Sequence, residues 1–174
     1  MPKPTIIFLV GFAGSGKTTA GGLLARKLGW AFIDLDREIE RQSSSTVAEI
    51  FGAHGERRFR QMETSTLRSV CARVSGPTVV ALGGGTLLTA ENRARMHRHG
   101  QSVYLRCSQA ELLKRLRAVS DRPLLKPAKA GELRRRISRL LSRRRPFYER
   151  CDWTISTTNK SVRQVAKVIY ERFK

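Results

Sequence analysis

Residues 5–19 read TIIFLVGFAGSGKTT. An apolar run of strand length ends at Gly11, and Gly11, Gly16, Lys17 and Thr18 satisfy G-x-x-x-x-G-K-[ST] at the start of a segment with helical period. Strand, glycine loop and helix in that order let successive backbone N–H groups turn inward around phosphate oxygens. The helix N-terminus adds a positive dipole end. The stretch therefore implies a nucleoside triphosphate site. Gly14, Ser15 and Gly16 belong to its cradle, and Lys17, Thr18 and Thr19 open the helix. Lys17 is expected to reach the β- and γ-phosphates, and the Thr18 hydroxyl to ligate Mg²⁺.

Working outward from this loop, strand-like runs at 5–10, 31–35, 78–82, 102–107 and 152–157 alternate with helical stretches at 17–28, 36–41, 46–53, 55–73, 90–98, 108–117, 133–145 and 161–172. Capping boxes mark three helix starts: Thr46 with Glu49, Ser108 with Glu111, and Ser161 with Gln164. Such alternation predicts an α/β fold, a mostly parallel sheet with helices on both faces. At 174 residues the chain fits a single domain, with no repeat or linker. Residues 119–132, with two prolines and a glycine, form the least regular stretch.

No apolar run approaches the ~20 residues of a membrane span, and the start lacks the pattern of a signal peptide. Cys71, Cys107 and Cys151 show no ligand spacing, which predicts reduced thiols and a cytoplasmic protein. The charge is unusual: 34 Lys and Arg against 14 Asp and Glu give +20. That balance favours anionic partners. Residues 134–150 hold eight arginines and one acid, the pattern of a solvated helix face or of anion recognition.

Function needs residues beyond the phosphate loop, since many enzyme classes share it. The second strand candidate ends in FIDLDREIE, which predicts Asp34 and Asp36 pointing the same way at the sheet's C-terminal edge, where ligands bind. One carboxylate could hold Mg²⁺ through water and the other could accept from an acceptor hydroxyl; Asp36 could instead cap the next helix. Arg60 and Glu63 stand at i, i+3, close enough to pair and aim the guanidinium at a substrate carboxylate. Gly83, Gly84 and Gly85 end the third strand candidate, TVVAL, and are expected to let a compact acceptor rest against backbone N–H groups. Arg122 lies on the irregular stretch, placed to neutralise transition-state charge. Arg143, Arg144 and Arg145 are alternatives for a second carboxylate anchor.

Together these stretches resemble shikimate kinase over nearly the whole chain. The motifs of the resemblance are the phosphate loop, Asp34-Leu35-Asp36, Phe59-Arg60-Gln61-Met62-Glu63, Gly83-Gly84-Gly85, Arg122-Pro123-Leu124-Leu125, and Arg144-Arg145-Pro146-Phe147-Tyr148. The resemblance implies ATP-dependent phosphorylation of the shikimate 3-hydroxyl, feeding chorismate and aromatic amino acid synthesis. It implies a P-loop, nucleoside-monophosphate-kinase-like fold with strand order 2-3-1-4-5 and a lid over about 118–132. Asp36, Arg60, Arg144 and the glycine triplet would bind shikimate. Lys17 and Arg122 would stabilise the transferring group, Thr18 would hold Mg²⁺ with Asp34 behind it through water, and Arg115 would pack on adenine. A gluconate-kinase-like enzyme would lack F-R-x-x-E and the glycine triplet; a sensor or nucleic-acid-binding module is the third reading. The partner expected is the small-molecule substrate of a monomer, with no membrane and no nucleic acid despite the charge.

Overall fold

The computed structural model describes residues 6–117 and 130–174. Five parallel strands, β1 (Ile6–Val10), β2 (Ala31–Asp34), β3 (Thr78–Ala81), β4 (Gly100–Arg106) and β5 (Trp153–Ser156), form one sheet in the order β2-β3-β1-β4-β5. The helices are α1 (Lys17–Leu28), α2 (Leu35–Ser43), α3 (Val47–Arg73), α4 (Ala90–His99), α5 (Gln109–Arg117), α6 (Ala130–Tyr148) and α7 (Val162–Phe173). The expected strand order and alternation are thus both present.

The central strand β1 is buried on both sides, as a parallel strand between helical layers must be. Its side chains alternate between two cores. Ile7 and Leu9 meet α1 and α7 through Ala20, Leu24, Val165 and Ile169. Ile6, Phe8 and Val10 face Leu35, Ile39, Leu67, Met96, Leu112 and Ile137 from the other helices. The order places β3 and its glycine triplet beside β1 and its phosphate loop, with both loops at the C-terminal edge of the sheet.

Helix starts follow their caps. In α3, Thr46 Oγ1 accepts from Glu49 N at 3.2 Å while Glu49 Oε2 accepts from Thr46 N at 2.7 Å. Ser161 and Gln164 form the same reciprocal pair at α7. At α5 only half the expected box forms. Ser108 Oγ accepts from Glu111 N at 3.3 Å, but the Glu111 carboxylate turns to Arg115 Nε at 2.8 Å, drawn by a charge. The two stretches expected at 46–53 and 55–73 form one helical run with a break at Gly55, whose φ of 73° is left-handed. Helix α6 departs further: Pro146 was expected to end it near 145, yet it runs to Tyr148. A proline inside a helix costs about 3 kcal/mol. Tertiary contacts hold the last turn, because Arg144 and Tyr148 are both buried and Tyr148 donates to the Gly84 carbonyl. The expected lid begins on residues 118–129, which lie outside the described residues along with Arg122. Its last residues, 130–132, start α6.

No described helix is long and apolar enough to cross a membrane. The β1–β4 pairing leaves no room for a side chain at Gly100, which pairs with Ile6 and where a Cβ would press into the Ile6 carbonyl. Because Gly100 has an extended φ of 177°, alanine there tests packing alone. We expect Gly100→Ala to cost about 3 kcal/mol and to lower Tm by on the order of 10 °C for a chain this size, measured by thermal unfolding.

Candidate active site

The phosphate loop is shaped by two left-handed glycines, Gly14 (φ 82°) and Gly16 (φ 93°), the second of which is the N-cap of α1. A side chain at either would be strained whatever the space around it. Lys17 is nearly buried and folds back over the loop, donating from Nζ to the Gly11 and Phe12 carbonyls at 2.9 and 3.0 Å. Ser15 is buried, and its hydroxyl has no protein partner among the described residues, as suits a group that faces an added anion. Arg115 bridges the loop to the start of the segment after β5: Nη1 donates to the Gly14 carbonyl at 3.2 Å and Nη2 to the Thr157 carbonyl at 3.3 Å.

Asp34 and Asp36 differ from the expectation of two carboxylates on one strand. The strand ends at Asp34, and Asp36 lies in the first turn of α2. It is Asp34, not Asp36, that caps this helix: Oδ1 accepts from Asp36 N and Arg37 N at 3.1 and 3.3 Å. Its other oxygen accepts from the Thr18 hydroxyl at 2.6 Å. The cap therefore fixes Asp34 beside the phosphate loop, with Asp34 and not Asp36 serving the helix start. A hydroxyl and a carboxylate oxygen in contact at the mouth of the loop fit the hard-oxygen donor set that Mg²⁺ takes, completed by substrate phosphates rather than by a protein cage. Among the described residues no group of three or more His, Cys, Asp or Glu could hold a metal alone.

The glycine triplet is closely packed by the protein itself. The space above each glycine is taken by the protein's own side chains. A Cβ on Gly83 would stand 2.5 Å from Glu63 Oε1 and 2.9 Å from Asp36 Oδ1; on Gly84, 3.1 Å from Arg144 Nη1; on Gly85, 2.5 Å from Arg60 Cζ. Three consecutive absent side chains thus admit Asp36 from α2, Arg60 from α3 and Arg144 from α6 to one place. The same Gly84 position lies 3.5 Å from Ala13 N and 3.6 Å from the Gly11 carbonyl, against the phosphate loop.

Arg60, Glu63 and Arg144 are each held. Arg60 donates from Nη1 to Glu63 Oε2 at 2.8 Å and from Nη2 to Glu56 at 3.1 Å. Burial pulls the Arg60 guanidinium down, but the Glu63 and Glu56 carboxylates outweigh it and raise it above its ordinary value. Glu63 is fully buried and accepts from the Thr86 hydroxyl at 2.6 Å. Arg144 lies with its guanidinium 5.5 Å from the Phe12 ring centre. It is the buried member of its triplet, Arg143 and Arg145 being exposed. Burial pushes the Tyr148 hydroxyl well up, so it stays a donor, and the Gly84 carbonyl accepts from it.

Asn92 and Arg93 stand in no pattern that sequence reasoning picks out. From α4 they grip the three carbonyls that follow the triplet: Asn92 Nδ2 donates to Thr86 O at 3.0 Å, and Arg93 Nη1 donates to Leu87 O and Leu88 O at 2.6 and 3.1 Å. The Arg93 guanidinium also lies 4.6 Å from the Phe147 ring centre, tying this turn to the end of α6. Their partners are backbone carbonyls, which leave no residue pattern to recognise.

Comparison with known proteins follows the same lines. The shikimate kinase family model matches residues 13–174. The shikimate kinase of Chlorobium chlorochromatii is 42% identical over 165 residues, 92% of this chain and 86% of that protein. That of Thermodesulfovibrio yellowstonii is 37% identical over 167 residues, 96% and 94% respectively. Among solved structures, the shikimate kinase from Acinetobacter baumannii in complex with shikimate has a TM-score of 0.90 at 36% identity, covering 98% of this chain and 93% of that one. The Mycobacterium tuberculosis APS kinase in complex with AMPPNP and APS shares the fold alone, with a TM-score of 0.63 at 16% identity over 98% of each chain.

The Thr86–Glu63 bond is the deepest support of the cluster. Thr86→Val is expected to cost about 2 kcal/mol, since it leaves a buried carboxylate short of a donor, while Thr86→Ser should stay near the parent. Urea unfolding of the two variants measures this, and equal stability of all three proteins would remove the hydroxyl from that role.

Proposed function

The chain belongs to the shikimate kinase family, and on that premise we propose that it transfers the γ-phosphoryl group of ATP to the 3-hydroxyl of shikimate through the residues gathered at Gly83–Gly85. The product is shikimate 3-phosphate, a step toward chorismate and the aromatic amino acids. The observation that carries the residue assignment is the convergence of Asp36, Arg60 and Arg144 on three adjacent glycines beside the phosphate loop.

One carboxylate and two guanidiniums suit a hydroxylated carboxylic acid. Arg60 and Arg144 bind the shikimate carboxylate, each with its fork held in advance by Glu63 or by Phe12. Asp36 accepts the proton of the attacking hydroxyl, whose oxygen forms the new bond to phosphorus as the bond to the ADP oxygen breaks. Catalysis in such transfers is mostly positioning and electrostatics. Lys17 leaves the Gly11 and Phe12 carbonyls for the β- and γ-phosphate oxygens, and the N–H groups from Gly14 to Thr19 complete the cradle. Arg115, at the Gly14 carbonyl, lies under the adenine, and Arg122 neutralises the transferring group. Thr18 and Asp34 would hold Mg²⁺, which would supply charge neutralisation to the phosphates. The protein acts as a monomer with one site per chain.

The glycine triplet and the Arg60–Glu63 pair favour shikimate over gluconate as acceptor. ADP release with Mg-ATP is expected to rise strongly with shikimate and not with gluconate. No stimulation by either acid in a protein that binds ATP would move the reading to a sensor. Asp36→Asn should keep ATP binding and lose about 10²–10⁴ in kcat. Arg60→Ala should raise the shikimate KM with the ATP KM unchanged. Gly85→Ala should do the same without substituting a charged residue, because Gly85 has an ordinary φ of −114° and the atoms nearest an added Cβ are those of the Arg60 guanidinium. An unchanged shikimate KM in both variants would remove Arg60 from the acceptor site.

A further inference from the structure

We propose that the outward face of α6 is a docking surface for the phosphate backbone of a nucleic acid duplex, an activity separate from phosphoryl transfer. The inward face of this helix buries Leu133, Ile137, Arg144 and Tyr148. On the opposite side Arg135, Arg139 and Arg143 are exposed and stand at i, i+4 and i+8. At 1.5 Å per residue they form a row with a step of about 6 Å and a length of about 12 Å. Ser138 and Ser142, also exposed, lie between them, and their short side chains do not screen the guanidiniums. Among the described residues no ion pair engages any of the three.

The pattern runs against the rest of the molecule. Like charges one turn apart destabilise a helix, and opposite charges stabilise it. Elsewhere the i, i+4 ion pairs are Glu56–Arg60, Glu91–Arg95, Glu111–Arg115, Glu132–Arg136 and Arg145–Glu149. The last two involve α6 itself, one at each end. The helix thus pairs its flanking arginines and leaves the outward row cation against cation. An external polyanion relieves that repulsion and releases its own counterions.

The chemistry of the row favours a duplex backbone over other polyanions. Arginine forks match phosphate oxygens in a bidentate way. Val168 on α7 is the one large apolar side chain exposed among the described residues, so α6 presents no apolar surface to a bilayer. The row is flanked by Ser138, Ser142 and Pro146, and Phe147, the next position along it, is half-buried with the Arg93 guanidinium 4.6 Å from its ring centre, which leaves that ring little face on which an unpaired base could stack. The motifs, which point to a small substrate, do not address this face, and composition alone cannot locate it.

The test is fluorescence anisotropy of 20-base-pair DNA and RNA duplexes against the full chain from 50 to 300 mM salt. Binding should be independent of sequence. Arg135→Gln/Arg139→Gln/Arg143→Gln should weaken it at least tenfold at 50 mM salt and reduce the slope of log K against log salt by about 2.7, for three phosphates at ~0.9 each. The same three positions as lysine should keep the slope. Arg26→Gln/Arg98→Gln/Arg163→Gln removes equal charge from exposed sites on α1, α4 and α7 and should keep it too. If both glutamine triples weaken binding equally, net charge is the cause and the docking face is overturned. Absence of duplex binding at 50 mM salt, or tighter binding to phosphatidylserine vesicles, overturns it as well. Shikimate-dependent ADP release, expected unchanged in both triples, separates this outcome from the kinase reading. Should the row triple not fold, Arg139→Gln alone should reduce the slope by about 0.9, and no change there overturns the proposal.

Discussion

The site depends on the absence of three Cβ atoms in a row. At Gly83, Gly84 and Gly85 the chain leaves β3 and would ordinarily present side chains to the crevice. Instead the oxygens of Glu63 and Asp36, then Arg144, then Arg60, occupy that space. Four ionisable groups from three helices thereby converge within reach of one small molecule. Close packing makes the constraint strict, since an interior this dense has no slack for even a methyl group. The flanking contacts serve the same end: Thr86 holds Glu63, Asn92 and Arg93 hold the next three carbonyls, and Tyr148 holds Gly84.

Much of this was legible in the residues and some was not. The phosphate loop, the five strands and the Arg60–Glu63 pair follow from local spacing, and the structure has them where spacing puts them. Strand order came through resemblance, because periodicity says which residues face inward but not which strand lies beside which. The glycine triplet was legible as an anomaly: sequence shows that side chains are excluded, and only packing shows what excludes them. The role of Asp34 as cap was missed because two carboxylates two apart read as a strand pair, whereas the strand stops at the first and a helix begins. Pro146 misled for a similar reason. Local propensity ends the helix at 145, and the buried Arg144 and Tyr148 outweigh it.

The two halves of the crevice are prepared differently. At the glycine triplet, Arg60 and Arg144 are already held by a carboxylate and an aromatic ring, so on the proposed reading an acceptor would meet donors whose rotamer entropy is largely spent beforehand. On the nucleotide side, Lys17 and Thr18 are satisfied by the protein itself, on the Gly11 and Phe12 carbonyls and on Asp34. Phosphates must exchange for those bonds rather than fill open ones. Selectivity can therefore come from rigid acceptor recognition, while the loop responds to the stronger field of a triphosphate.

Helix α6 shows how register, more than residue type, decides what an arginine does. Arg143, Arg144 and Arg145 are neighbours in sequence, each turned about 100° from the last at 3.6 residues per turn. Arg145 meets Glu149 one turn on, in water, where such a pair is worth little. Arg144 turns inward, is buried, and lies against the Phe12 ring and Gly84. Arg143 turns outward and joins Arg135 and Arg139 without a carboxylate among the described residues. A single-residue shift of the helix would exchange these environments, burying a neighbouring arginine and exposing the one that now lies against Gly84 and Phe12. The buried Tyr148 one turn beyond Arg144 prevents that shift, because its hydroxyl meets Gly84 in only one register. The tyrosine that closes the helix therefore also sets which arginine faces the crevice.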